Sequence, residues 1–205
     1  MSLLSILHNM NLMKNGILNV SGALLFMKSP QFKLPVFIVK AIVFPGVDIH
    51  QSNYIDSRDI TGKLEDVFRH SVNFICENIR AVQSGQGVNS LGVPEIPFEA
   101  LEEIMVNALI HRDYFVSAPI RIFIFDDRVE ILSPGHLPNN LTVANIKSGN
   151  SNIRNPILTS FATRLLPYRG IGTGIIRALK VWPHIDFIDD RDNNLFKVVL
   201  KRILS

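Results

Sequence analysis

Apolar residues recur at helical spacing most clearly between residues 63 and 80. There Leu64, Val67, Phe68, Val72, Ile75, Cys76 and Ile79 form one face, which predicts an amphipathic helix. A second periodic stretch begins at Pro97, a residue tolerated in a first helical turn. At about 100° per residue, Leu101, Ile104, Met105, Ala108 and Leu109 fall on one stripe, and Val106 and Ile110 form a second arc. A helix apolar on two sides is mostly buried. Between the arcs, Glu103, Asn107 and His111 follow one another every fourth residue as a single polar row. Buried carboxylates and amides are costly unless something satisfies them. The row is therefore expected either to face a ligand cleft, or to reach solvent or be satisfied by neighbouring loops.

The remaining pattern is of shorter pieces. Residues 3–13 read as a short helix, Asn15-Gly16 as a turn, and Ser21 as the cap of a second short helix through Met27. Val36–Phe44 is β-branched and bounded by Pro35 and Pro45-Gly46, which predicts a strand. This opening order resembles part of a winged-helix module, although short helices before a strand are common. Ser84–Ser90 reads as a loop or linker. Ile120–Phe125 and Val129–Leu132 predict a hairpin turning at Asp126-Asp127-Arg128, and Pro134-Gly135 ends its second strand. A polar stretch, Thr142–Arg154, leads to a helix over Pro156–Leu166. Gly170-Ile171-Gly172-Thr173-Gly174 opens another helix, Ile175–Val181, and an antiparallel pair follows over 185–188 and 195–203. The expected organisation is an N-terminal α/β segment at 1–83, a linker at 84–94 and a second domain at 95–205.

Composition narrows the classes only slightly. The 205 residues can hold one full core or two small ones. With 47% hydrophobic and 19% charged residues, the chain is an ordinary globular type. A net charge of +3 permits nucleic-acid contact but does not argue for it. The single cysteine, Cys76, excludes an internal disulfide framework and a cysteine zinc cluster, and suits a reducing cytoplasm. No apolar run reaches the roughly 20 residues needed to span a bilayer, and no signal peptide is visible. The chain opens inside an apolar periodic segment, as expected of a fragment of something longer.

Three candidate sites stand beside the polar row. Glycines 170, 172 and 174 before a helix suit phosphate, because backbone can approach closely and the first helical amides favour an anion. The spacing is not a dinucleotide fingerprint, and a tight turn is the alternative; Arg169 beside it favours phosphate. Lys147 and Arg154 could clamp phosphates or be solvated loop charges. Arg128 is most simply a hairpin residue paired locally. His8, His50, His70, His136 and His184 lack metal spacing, with His136 in a proline-bounded turn. The chain has no phosphate-loop motor motif, no nucleophile elbow and no zinc-protease helix.

Several ordered motifs resemble one family. They are Glu103, Asn107 and His111-Arg112-Asp113-Tyr114; Ser117-Ala118-Pro119-Ile120; Asp127–Ile131; Ser133–Pro138; Arg154-Asn155-Pro156; and Gly170–Gly174. The family is the bacterial and archaeal group of RecG-helicase-related C-terminal domains, called transcriptional regulators, and the resemblance covers roughly residues 95–203. Its members usually carry an Alba- or Schlafen-like DNA-binding domain, and residues 1–83 resemble the region after it. The resemblance thus implies DNA contact through a domain not included here. The helicase name finds no motor motif in this sequence.

That domain is in turn similar to the Bergerat-fold (GHKL) ATPases. The similarity implies an α+β chain in which an N-terminal helical and strand segment precedes a two-layer α/β sandwich with a mixed, mostly antiparallel sheet. It implies that Glu103 orients or deprotonates the attacking water and that Asn107 holds magnesium at the phosphates of ATP. Gly170, Gly172 and Gly174 match the second glycine box, beside Arg169, and Thr142–Arg169 contains the lid with Arg154. His111, Ser133 and Gly135 would complete the nucleotide site. Where Bergerat enzymes read adenine with an aspartate, this chain has Ser133-Pro134-Gly135. A charged hydrogen bond is worth about 1.5–3 kcal/mol, so weak, altered or absent ATP binding is expected. The implied function is a nucleotide-binding regulatory domain, with slow magnesium-dependent ATPase activity and homodimerisation left open. The alternatives are a nucleotide-free dimerisation or regulatory scaffold and, third, direct DNA binding by this chain.

Overall fold

In the computed structural model, which describes residues 2–49, 53–82 and 92–203, strands from two distant stretches of chain share one sheet. β1 (Met13–Lys14) and β2 (Ile17–Leu18) form a small hairpin about Asn15-Gly16, between α1 (Leu3–Asn9) and α2 (Val20–Phe26). The main sheet begins with β3 (Val39–Val43) and β4 (Asp56–Ile60), followed by α3 (Leu64–Asn78). A two-residue pair, β5 (Ala81–Val82) and β6 (Val93–Pro94), precedes α4 (Phe98–His111). Then come β7 (Ile120–Ile124), β8 (Arg128–Pro134), α5 (Val143–Lys147), α6 (Pro156–Leu165), α7 (Gly174–Val181), β9 (Ile185–Asp190) and β10 (Leu195–Lys201).

The six-stranded sheet has the order β4-β3-β7-β8-β10-β9. Only β3 and β7 are parallel; every other neighbouring pair is antiparallel. The expected α+β architecture, a two-layer sandwich on a mixed and mostly antiparallel sheet, is the one observed. Strands from before and after residues 84–94 lie side by side, and their buried residues belong to one core. The loop residues 84–90, and His50, lie outside the described residues.

Register explains why one face of the sheet takes the helices. Ala41, Ile122, Ile131, Val198 and Phe187 line up across five strands, and Val43, Ile124, Val129, Leu200 and Ile185 form the next row. Both rows are buried, because alternate strand residues share a face. α3 and α4 lie over them, and α7 packs on α4. One register step along, Ser133 pairs with Phe196 on the same face, so its hydroxyl is brought beneath α4.

Several boundaries differ from the expectation for local reasons. α2 is capped by Asn19, whose side chain accepts the Gly22 amide at 2.9 Å, and Ser21 falls inside the helix. Asn19 reaches first because its amide oxygen suits an N-cap at least as well as a hydroxyl. β4 was not expected, since Asp56-Ser57-Arg58-Asp59-Ile60 is almost wholly polar. It is an edge strand, where charge is favoured because it discourages further pairing. Lys40 on β3 meets Asp59 on β4 at 3.0 Å.

The C-terminus of α4 is secured from a distance. The Asn155 amide donates to the carbonyls of Ile110 and Arg112, both at 2.8 Å, satisfying acceptors that a helix end otherwise leaves open. Pro156 then starts α6, so the short run Arg154–Pro156 ties two helices together. Asn155→Asp keeps the shape but sets a carboxylate against two carbonyls and a helix C-terminus. We expect a loss of about 2 kcal/mol, measured by urea denaturation at neutral pH, with partial recovery as the carboxyl protonates in acid.

Candidate functional site

α4 is confined by the sheet, α3 and α7, so eight of its apolar residues are buried and its polar row has only one direction to face. That direction is a cleft bounded by the row, by β8 and its following turn, and by the segments 150–152 and 168–177. Glu103, Asn107, His111, Ser133, Gly135, Arg169, Gly170, Gly172 and Gly174 all line it. Nine of the ten expected site residues are thus gathered from three separate stretches of chain.

Arg154 is the exception. Its guanidinium lies behind Gly135, donating to the His136 carbonyl and standing 4.0 Å from Asp113. One of its terminal nitrogens is buried without a hydrogen-bond partner. Lys147 also turns away, lying 5.6 Å from the centre of the Phe187 ring.

Within the cleft the row is already engaged. Arg177 on α7 donates to Glu103 Oε2 at 2.6 Å. The Asn107 amide nitrogen donates to Glu103 Oε1 at 3.0 Å and to the Glu103 carbonyl at 2.7 Å. His111 Nε2 lies 3.2 Å from the Tyr168 hydroxyl. The Ser133 hydroxyl donates to the Ala108 carbonyl at 3.0 Å. The row thus borders a cleft, and its polar groups are met by Arg177 of α7, by Tyr168 and by one another. Sequence reasoning passed over Arg177 and Tyr168. Arg177 had a signal, being the first charged side chain of a short helix opened by glycines.

Close approach explains two of the glycines. Gly172 has a φ of +74°, in the left-handed region, and its α-carbon faces the Gly149 carbonyl so closely that a β-carbon would overlap it. Gly174 has no such strain. Its hydrogen makes room for the Glu103 carboxylate, which a β-carbon there would strike. The carboxylate therefore sits against the first residue of α7. That helix has no side-chain cap at its N-terminus, and its free amides favour negative charge.

Electrostatics follow from this enclosure. Burial pushes the Glu103 carboxyl above the ordinary range, while Arg177, the Asn107 hydrogen bond and Arg169 pull it back. Burial, with help from Arg154, lowers His111 to about 4, against one raising hydrogen bond with the Asn152 backbone. Tyr168 is raised by burial and then by Glu103. At neutral pH the cleft holds a carboxylate facing two arginines, a neutral imidazole and a neutral phenol. Among the described residues, no cluster of three or more His, Cys, Asp or Glu side chains is placed to hold a metal ion. The cavity volume is about 100 Å³, less than the roughly 150 Å³ that holds benzene.

Two consequences are measurable. Gly174→Ala forces a methyl group into the Glu103 carboxylate, and we expect a stability loss of about 1–3 kcal/mol by chemical denaturation. The folded His111 stays neutral while the unfolded residue protonates near pH 6.5. Its contribution is whole above that pH and is lost as pH falls toward about 4. His111→Phe should flatten this loss, of up to about 3 kcal/mol, in denaturation midpoints measured between pH 7 and 4.

Comparison with known proteins agrees with the architecture. No curated protein matches the chain. The DIP2311 protein from Corynebacterium diphtheriae has a crystal structure similar to 98% of this chain, with a TM-score of 0.71 and 22% identity. That likeness is one of fold. The chain spans 40% of the length of that protein. Residues 117–195 match the family described as "Putative ATP-dependent DNA helicase recG C-terminal". The match takes in the β8 turn and the glycine bend and stops short of α4. By sequence, then, the stretch from β7 to the start of β10 is similar to a RecG-related, ATPase-like domain.

Proposed function

We propose that the cleft binds a nucleoside triphosphate with magnesium, and that the chain is the ATP-binding regulatory domain of a DNA-binding transcriptional regulator. The observation that carries this reading is the meeting of the glycine bend and uncapped α7 with the acid–amide row across one cleft. Backbone amides at a helix start and two arginines supply what a polyphosphate needs. With its amide nitrogen given to Glu103, Asn107 has its side-chain oxygen left over, and a hard oxygen suits magnesium. A Bergerat (GHKL) relationship is consistent with this donor set and with the layer order.

Magnesium, when bound, would neutralise phosphate charge. Everything else falls to the chain. The amides of the bend would orient the phosphates, and the Asn107 oxygen would hold the metal. Glu103, with its carboxyl raised by burial, is suited to take a proton from water in a slow hydrolysis. Ser133 has committed its only hydrogen to Ala108, so it offers a base lone pairs and no charge. Base selectivity is therefore weak, with ATP and GTP binding within about tenfold of each other.

A second reading, a nucleotide-free scaffold, is favoured by the internal satisfaction of the row and by the small cavity. Thermal unfolding separates the two. Millimolar ATP with magnesium, at about ten times Kd, is expected to add about 1.4 kcal/mol, a rise of about 3 °C. Asn107→Ala should remove the rise. A wild-type midpoint that nucleotide leaves unmoved supports the scaffold instead.

A further inference from the structure

The Glu103 carboxylate occupies the place an anion would take. It lies against Gly174 at the start of α7 and faces the Arg177 guanidinium at 2.6 Å. We propose that the Glu103–Arg177 pair is a latch: Glu103 stands in for a phosphoryl group, and an entering triphosphate takes Arg177 and frees the carboxylate into the cleft. This inference rests on the nucleotide reading above and adds to the phosphate contact of Arg177 the release of Glu103 that follows from it.

Three observations support the exchange. The pair is singly bonded, through Nη2 and Oε2, although a guanidinium can form two parallel bonds to a carboxylate or phosphate. The Arg177 Nε is buried without a partner, so the group holds unspent donors. Its side chain is nevertheless 39% exposed and lines the cleft, whereas that of Glu103 is 7% exposed. An anion arriving from solvent therefore meets the arginine first. The second Glu103 oxygen is held by Asn107, which keeps the carboxylate on the cleft side once Arg177 has gone. A dianionic phosphoryl end competes for the guanidinium with more charge and more acceptor oxygens than one carboxylate. A monophosphate, two phosphoryl groups shorter than the triphosphate, is expected to fall short of the pair.

The test is the affinity of the ligand-free protein for magnesium ATP, tripolyphosphate and AMP, by calorimetry, in wild type, Glu103→Gln, Arg177→Met and the double variant. Glu103→Gln removes the competing charge with little change of shape and should bind ATP and tripolyphosphate about tenfold tighter. Arg177→Met should bind both about tenfold weaker, and the double variant should show no gain over it. AMP affinity should stay within about twofold throughout. If Arg177→Met does not fold, Arg177→Lys serves, with an intermediate loss. Wild-type binding that Glu103→Gln leaves equal or weaker overturns the latch and spares the nucleotide reading. A wild type that binds none of the three overturns both.

Discussion

One carboxylate under one helix sets the terms for the rest of the molecule. α4 is apolar on two sides because it is covered on both, and Glu103 is buried with it. Taking a carboxylate out of water costs several kcal/mol unless charge and hydrogen bonds replace the solvent. Arg177 and Asn107 supply them, and Gly174 supplies the room. α7 and the glycine that opens it are thereby tied to the position of that group. Removing any one leaves a buried charge with fewer partners.

The same arrangement joins structure to chemistry. A group satisfied wholly within the protein would be inert, and one wholly in water would have an ordinary proton affinity. Glu103 lies between these limits, held by a partner that itself reaches the cleft mouth. Burial raises its proton affinity, and Arg177 is the strongest of the groups that lower it again. His111 shows the opposite case, since its ring is covered by Tyr168 and kept neutral by burial.

Much of this was legible in the residues, and the parts that were not share a physical cause. Helical period placed α3 and α4, and the hairpin of β7 and β8 followed from alternation and its Asp-Asp-Arg turn. The polar row was visible because charged and amide residues broke an otherwise apolar helix. β4 was hidden because an edge strand needs no apolar face, and its partner supplies the pairing. Parallel pairing of β3 with β7 was hidden because residues about eighty apart carry no shared period. Arg177 was passed over because its meaning depends on Glu103, 74 positions away, and single-residue patterns do not encode partners.

That parallel pairing reaches beyond the site. With β3 and β4 taken away, β7 becomes the border of the sheet, and the alternate residues Ile120, Ile122 and Ile124 lose the neighbours that cover them. A bare border of β-branched residues is a template for other chains. A piece starting at residue 95 would therefore clump rather than fold alone. The first eighty residues serve as the guard on an otherwise adhesive sheet.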